Sequence, residues 1–469
     1  MKKIISAIFS FLAVAVLIIW GLGHLSDITE RKKSKNKFSD FYRQEEEYDV
    51  LFLGSSHVLN GVFPMELWRD YGIVSYNLSG HGSRAAVNYW ILKNALEYTT
   101  PKLVVVDCYM LGLKEKVGTI DQLHMSVDHI PFSKIKVAAI QDLVEDKEEQ
   151  KDFLWKFSIY HNRWSDLDTQ DFTMEYSPEK GAESRIAVAA TEEVEAYDAS
   201  GKLEETIAME YLRKTIELCQ EQGIEVLLTY IPFPGNRGWQ PENNSAADLA
   251  MEYGINYLDF YTLLGRLNLN TDFYDKNAHM NPSGARKITE FLGEYITCVY
   301  GMEDQRENES YSSWHEDYKT YTEFKHDNIR NEQELKNYLM LLRDKNLSYG
   351  VYLKWGLNLN QYPVINELLL NIGINPAQYT EEGMCFAFVD NVNGTGSKIT
   401  ILENMDTYFG NFSLMYNEDG HLELISKEDN RMVITWSDIG VVVFDNETLS
   451  MVDQAAFTFE NANVEIERD

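Results

Sequence analysis

The stretch Tyr48-Asp49-Val50-Leu51-Phe52-Leu53-Gly54-Ser55-Ser56-His57 decides the fold. A strand with one wet face alternates apolar and polar residues, whereas a short unbroken apolar run marks a strand covered on both sides. This run passes straight into Gly-Ser-Ser, the kind of turn in which a buried strand delivers side chains to a functional edge. Similar runs recur at 73–77, 102–107, 224–231 and 255–260, with helical periodicity between them at 88–98, 203–222 and 245–253. Gly223 and Gly254 close two of these helices and lead at once into the next strand. Strands and helices in alternation predict an α/β domain: a five-stranded parallel sheet with helices on both faces, spanning 48–300.

Residues 111–200 interrupt the alternation. They are rich in Asp and Glu, contain no core strand pattern, and are expected as a helical insertion beside the mouth of the site. The aromatic run from Phe157 to Trp164 is read there as packing. From 301 to 333 the composition turns to Glu, Asp, Asn, Tyr and Lys without apolar periodicity, which predicts a linker. From 334 to 469 a helix-like segment at 335–344 precedes β patterns at 385–389, 398–403, 422–426, 432–436 and 441–444, predicting a separate α+β, β-rich domain.

Across 469 residues, 42 Lys plus Arg face 74 Asp plus Glu, a net charge of −32. Phosphate binding needs cations to displace counterions, so nucleic acid is excluded as a partner. With 44 % hydrophobic residues, 28 Tyr and 22 Phe, the chain has ample material for packed cores. Cys108, Cys219, Cys298 and Cys385 lie far apart, in no pattern of a zinc ribbon or disulfide scaffold. At the N-terminus, Lys2 and Lys3 precede an uncharged apolar stretch, 4–22, long enough as a helix to cross about 30 Å of hydrocarbon. No A-x-A-like site follows Trp20, so residues 1–23 are expected as an uncleaved anchor and 24–47 as a stalk. Arg31, Lys32, Lys33, Lys35 and Lys37 run against a simple positive-inside count, while the short N-tail places the bulk of the chain outside the cytoplasm. The expected location is the cell membrane, by a single pass.

Two segments carry chemistry. In Gly54-Ser55-Ser56-His57 a hydroxyl leaves the end of the first strand where backbone N–H groups of a following helix face the same space. In Thr271-Asp272-Phe273-Tyr274-Asp275-Lys276-Asn277-Ala278-His279-Met280-Asn281-Pro282-Ser283-Gly284 a carboxylate and an imidazole share a loop before a helix. A nucleophilic serine needs a base for its proton, and the base needs a carboxylate to hold its tautomer. Taken singly, each segment reads first as helix capping: serine as an N-cap, Asp and His as capping and surface groups.

Together and in this order they resemble the SGNH (GDSL-like) hydrolase superfamily over residues 48–300. The resemblance implies a flavodoxin-like sheet and an esterase or O-acyltransferase with Ser56 as nucleophile, His279 as base and Asp275 as its carboxylate. The stretched Asp-x-x-x-His spacing leaves Asp272 as the alternative. It further implies an oxyanion hole from the backbone N–H groups of Ser56 and of Gly82, in Asn77-Leu78-Ser79-Gly80-His81-Gly82, and no metal or organic cofactor. His57 and His81 are candidate substrate contacts. The third family motif departs: Val106-Asp107-Cys108-Tyr109 lacks its asparagine donor. The Gly-Ser-Ser form resembles envelope-modification members that work beside membrane-bound O-acyltransferases, implying a cell-envelope glycan and such an acyltransferase as partners. His124, His129 and His161 have no metal-ligand spacing and are expected to be structural. The region 335–461 resembles the FAM3/interleukin-like EMT inducer (ILEI) domain in Asn337–Leu342, Gly350–Lys354 and Gly440–Asn446, which implies a docking module. Two functional readings follow. One is a membrane-anchored esterase or acyltransferase acting on O-acyl, above all O-acetyl, esters of envelope glycans. The other is a catalytically inactive scaffold that binds glycan or a membrane acyltransferase.

Overall fold

The computed structural model describes residues 2–30, 37–44, 46–155, 157–172, 176–191, 200–231, 239–277, 279–354, 356–377, 386–393, 395–400, 404–416, 418, 422–426, 431–433, 437–460 and 463–468. Cys385 and Trp436, each at the end of an expected strand, lie outside them. The chain divides into two units: Met1–Glu183, Val194–Leu264 and Thr289–Tyr311 form the first, and Ser184–Glu193, Gly265–Ile288 and Ser312–Asp469 the second. The loop that carries Asp275 and His279 therefore groups with the C-terminal residues rather than with the parallel sheet.

The first unit begins with helix α1 (Lys2–Glu30) and α2 (Lys37–Gln44). Within α1, Ile4–Ser26 is long and apolar enough to cross a membrane, and most of its side chains are exposed as far as Leu25. The stretch expected as a stalk is instead largely helical. Helix α1 runs on to Glu30, and α2 buries Phe38 and Phe41. The Phe41 ring lies 5.4 Å from that of Tyr48 and 5.2 Å from that of Tyr76, so this aromatic cluster holds α2 onto the unit.

Five parallel strands follow: β1 (Val50–Leu53), β2 (Ser75–Asn77), β3 (Leu103–Asp107), β4 (Glu225–Tyr230) and β5 (Asn256–Asp259). Their spatial order is β2-β1-β3-β4-β5. All four residues of β1, which lies between β2 and β3, are wholly buried. Helices α3 (Ser56–Gly61) and α4 (Pro64–Tyr71) connect β1 to β2, and α5 (Ala85–Ala95) connects β2 to β3. Right-handed crossovers require the connections running one way along the sheet to lie on one face and those running back to lie on the other. The insertion carries α6 (Ile120–Val127), α7 (Lys134–Leu143), α8 (Lys147–Leu154) and α9 (Phe157–Tyr160), then 3-10 turns at His161–Asp166 and Thr169–Asp171. Helix α10 (Ile207–Glu221), which packs on α5, leads to β4, and α11 (Gln240–Tyr253) leads to β5. Helix α12 (Pro282–Tyr300) closes the opposite face from α5, where Thr289 Oγ1 accepts the N–H of Phe63 at 3.0 Å.

Of the stretch 301–333, expected as a linker, residues up to Tyr311 group with the first unit, and in the second unit the remainder carries α13 (Ser313–Asn331), with Trp314 and Tyr321 buried. Its apolar residues are too few to set a visible period, and the large aromatics supply the burial. Helices α14 (Leu335–Leu341) and α15 (Pro363–Asn371) flank a six-stranded antiparallel sheet. Its strands are β6 (Leu347–Leu353), β7 (Phe386–Asp390), β8 (Thr395–Thr400), and, after a four-stranded sheet, β13 (Ile439–Asp445), β14 (Met451–Glu460) and β15 (Asn463–Glu467). The smaller sheet comprises β9 (Asn404–Thr407), β10 (Gly410–Tyr416), β11 (Leu422–Ser426) and β12 (Arg431–Val433). Side chains along β13 alternate between two cores, as the period of two demands. Ile439, Val441 and Val443 join Leu339 and Leu369 beneath the helices, while Val442 and Phe444 join Phe388 and Phe412 on the other side.

Candidate active site

At the carboxyl end of β1, Ser55 caps α3 with extended backbone (φ −97°, ψ −162°), its Oγ accepting from the N–H of His57. Ser56 is the first helical residue and is half-buried, whereas Ser55 and His57 are buried. A Cβ on Gly54 would stand 2.4 Å from Val58 Cγ2 and 3.0 Å from Asp107 Cβ, so only glycine lets the turn pass this closely between α3 and β3. The His57 ring meets the edge of Tyr109 at 4.3 Å and lies 3.4 Å from Ser55 Oγ through Nδ1.

The second glycine loop is tied to the same turn. Leu78 N–H donates to Phe52 O at 2.9 Å and Gly80 N–H to Gly54 O at 3.2 Å. The Asn77 amide donates to Val58 O and Val62 O at 2.9 and 3.0 Å and accepts from Ser79 N–H at 3.1 Å, bracing the loop against α3. Gly82 has φ +61°, and a Cβ there would press within 2.5 Å of the Gln122 amide. Lys37, from α2, donates to the carbonyls of Asn77 and Gly181 at 3.1 Å each and to that of Ser79. Burial pulls its ammonium down to about 7, against the attraction of Glu183. His81 Nε2 lies 2.8 Å from Glu183 Oε2.

The loop after β3, where the third family motif would stand, is built on two buried carboxyls. Asp107 accepts from Ile231 N–H at 2.8 Å and Tyr109 N–H at 3.3 Å. Glu242, in the first turn of α11, accepts from Met110 N–H at 3.1 Å and Gly112 N–H at 2.8 Å. Met110, held between these contacts, has φ +69°, a conformation that disfavours any residue with a Cβ. Burial pushes both carboxyls up to about 7 despite the N–H groups that favour their charged forms. Each then keeps a proton in the folded chain that the unfolded chain releases above about pH 4. Stability should therefore fall as pH rises from about 4 to about 7, by up to about 1.4 kcal/mol per pH unit for each group, and level off above. Urea titration of the first unit, followed by hydrogen exchange along β3, checks this; Asp107→Asn and Glu242→Gln should each flatten the slope.

In the second unit, His279 Nδ1 lies 2.8 Å from Asp275 Oδ2. Asp275 Oδ1 accepts the N–H groups of Asn277 at 2.9 Å and His279 at 3.2 Å, which fixes the carboxylate plane. Tyr274 N–H donates to His279 O at 2.9 Å, and the Tyr274 ring stacks on the imidazole at 5.3 Å. The loop is closed at its base by Asn281, wholly buried, whose amide donates to Thr271 O at 2.8 Å and Phe273 O at 3.2 Å and accepts from Ser283 N–H at 3.1 Å. Asp272 is wholly buried and occupied otherwise. It accepts from Ser283 Oγ at 2.9 Å and Asn268 N–H at 2.7 Å, pairs with Lys287, and faces Arg343 Nη1 at 3.4 Å.

Sequence order thus brings Asp275 to His279, Ser56 to the start of α3 and Gly82 to a left-handed turn. Ser56 and Gly82 belong to the first unit, Asp275 and His279 to the second. Asn77, Lys37 and Glu242 are supports that no motif marks. An asparagine at a strand end, a lysine in an expected stalk and a glutamate in a helix's first turn all read as surface residues until their distant partners, 15 to 144 positions away, are known. In the insertion, His124 pairs with Asp128 at 2.9 Å and stacks on Phe153, and His129 Nδ1 lies 3.1 Å from Ser39 Oγ.

No family model and no curated protein matches this chain. Among solved structures, it is similar to an inferred acylhydrolase from Bacteroides fragilis NCTC 9343, at 13 % identity over 55 % of this chain and 94 % of that one, with a TM-score of 0.28. A likeness of that size carries no argument about activity, and the fold is read from the strand order itself.

Proposed function

We propose that this protein is a membrane-anchored SGNH-type serine esterase or acyltransferase, acting outside the cytoplasm on O-acyl esters of a cell-envelope glycan. The observation that carries the reading is the Asp275–His279 pair, 2.8 Å apart, with the carboxylate held by two backbone N–H groups. A carboxylate at Nδ1 keeps the proton on that nitrogen and makes Nε2 the basic one. In the proposed reaction Ser56 Oγ attacks the acyl carbonyl and its proton passes to His279 Nε2. The tetrahedral oxyanion is held by the N–H groups of Ser56 and Gly82. Collapse breaks the acyl C–O bond, and the departing alcohol takes the proton from His279. Water or a glycan hydroxyl, losing its proton to His279 Nε2, then attacks the acyl carbon, and as the bond to Ser56 Oγ breaks that proton returns to Oγ.

Asp107 and Glu242 hold the loop after β3 by accepting its N–H groups, which commits those donors and leaves the N–H groups of Ser56 and Gly82 as the two oxyanion donors of the proposed reaction. The net charge of −32 favours a neutral glycan over a phosphate-rich one. The Ile4–Ser26 span serves as the anchor, and the C-terminal unit as a docking module beside a membrane-bound acyltransferase. Incubation of the full chain with a fluorophosphonate, followed by peptide mass spectrometry, tests the reading. A covalent adduct on Ser56 is expected; an unlabelled Ser56 favours the inactive scaffold.

A further inference from the structure

We infer that the insertion's α9 and the two 3-10 turns after it form a membrane-surface foot, which rests its exposed apolar side chains in the headgroup layer of the bilayer that α1 crosses. The inference rests on the anchor proposed above, and the test below separates the two.

The polar end of α1 is packed into the first unit. Ser26 and Thr29 are buried, in contrast to the exposed apolar residues before them. The elements packed on this end of α1 are α9 and the turns His161–Asp166 and Thr169–Asp171. Arg163 locks the arrangement, donating through Nη1 to Thr29 O and through Nη2 to Asp171 Oδ1 at 3.0 Å. Each of these segments, or the residue directly after it, presents one large apolar side chain to solvent: Ile159 is 36 % exposed, Trp164 71 % and Phe172 61 %.

The rise of α1 fixes where they sit. Thr29 follows the apolar span by three residues, about 5 Å along the axis. The headgroup region on each side of the hydrocarbon is about 5 to 7 Å deep. Whatever packs on Thr29 is therefore at the depth where Trp and other aromatic rings concentrate, with one side apolar and one wet. Charge does not drive the contact, because Arg163 is already paired and Asp166 and Asp168 flank Trp164. Apolar burial does, so a zwitterionic lipid suffices and added salt should not release the foot.

The test uses the full chain with Cys298→Ser and Cys385→Ser, reconstituted in phosphatidylcholine bilayers and carrying one nitroxide label at a time, at Val14→Cys, Trp164→Cys, Phe172→Cys or Met251→Cys. Met251, 74 % exposed on α11, is the aqueous reference. Collision with a water-soluble nickel complex should fall at least about threefold at 164 and 172 relative to 251, and further at 14, with no change as salt is raised. A label at 14 as accessible as that at 251 overturns the anchor and the foot together. A shielded 14 with 164 and 172 as accessible as 251 overturns the foot alone. Shielding at 164 and 172 that needs a co-reconstituted membrane protein overturns it in favour of a protein partner.

Discussion

Ser56→Ala should abolish ester turnover, lowering kcat by about 10⁴-fold or more, with little change in stability. The hydroxyl is the only atom lost, and alanine is as compatible as serine with the first helical position, because the capping oxygen belongs to Ser55. Hydrolysis of an activated aryl acetate by the full chain, compared with the wild type at several substrate concentrations, provides the measurement, and urea titration provides the stability control. A transferase that ignores water would be silent in that assay in both forms. Fluorophosphonate labelling, which needs only an activated serine, should still be lost with Ser56→Ala and kept in Ser55→Ala. Retention of full labelling by Ser56→Ala would remove Ser56 from the mechanism. Ser55→Ala removes an N-cap instead, a change that costs about 1 kcal/mol of stability.

The two aspartates of the second segment should part company. Asp275→Asn should lower kcat by about 10⁴-fold with KM nearly unchanged, because an amide at Nδ1 no longer stabilises the imidazolium or enforces the tautomer that makes Nε2 basic. Its effect on folding should be small, since the side chain is partly exposed and an amide oxygen still accepts the N–H groups of Asn277 and His279. Asp272→Asn should behave in the opposite way. It leaves Lys287, whose ammonium burial already lowers against the attraction of Asp272, without its carboxylate. Breaking a buried ion pair from one side costs about 3 to 5 kcal/mol, so the loss should appear in the urea midpoint of the second unit. An Asp272→Asn chain that folds normally but turns over no ester would reverse the assignment of the carboxylate.

Strands β1, β3 and β4 were legible as short, largely apolar runs bounded by glycine or a polar turn, and β2 and β5, which carry Ser75, Asn77, Asn256 and Asp259, by their place in the alternation with helices. Every expected strand at 48–53, 73–77, 102–107, 224–231 and 255–260 encloses an observed one. Helix α2 was not legible: eight residues with three aromatics among charged and polar neighbours look like stalk until Tyr48 and Tyr76 supply the rings that Phe41 packs on. Helix α13 escaped for a related reason, since its burial is carried by Trp314 and Tyr321 within an otherwise charged stretch. Trp164, read as packing, is largely exposed, because a local aromatic cluster does not reveal which of its rings the neighbouring elements cover.

Local periodicity, punctuation and residue order by themselves determined the parallel α/β sheet, the apolar N-terminal span and the β-rich C-terminal region. These depend on contacts between near neighbours in sequence or on the burial pattern of single elements. Tertiary structure alone decided which carboxylate meets His279, that Asp272 is committed to Lys287 and Ser283, and that Glu242 and Asp107 hold the loop after β3. A carboxylate's role depends on what surrounds it once water is excluded. Partners as distant in sequence as Glu242 and Met110 become neighbours only when the strands and helices between them have packed.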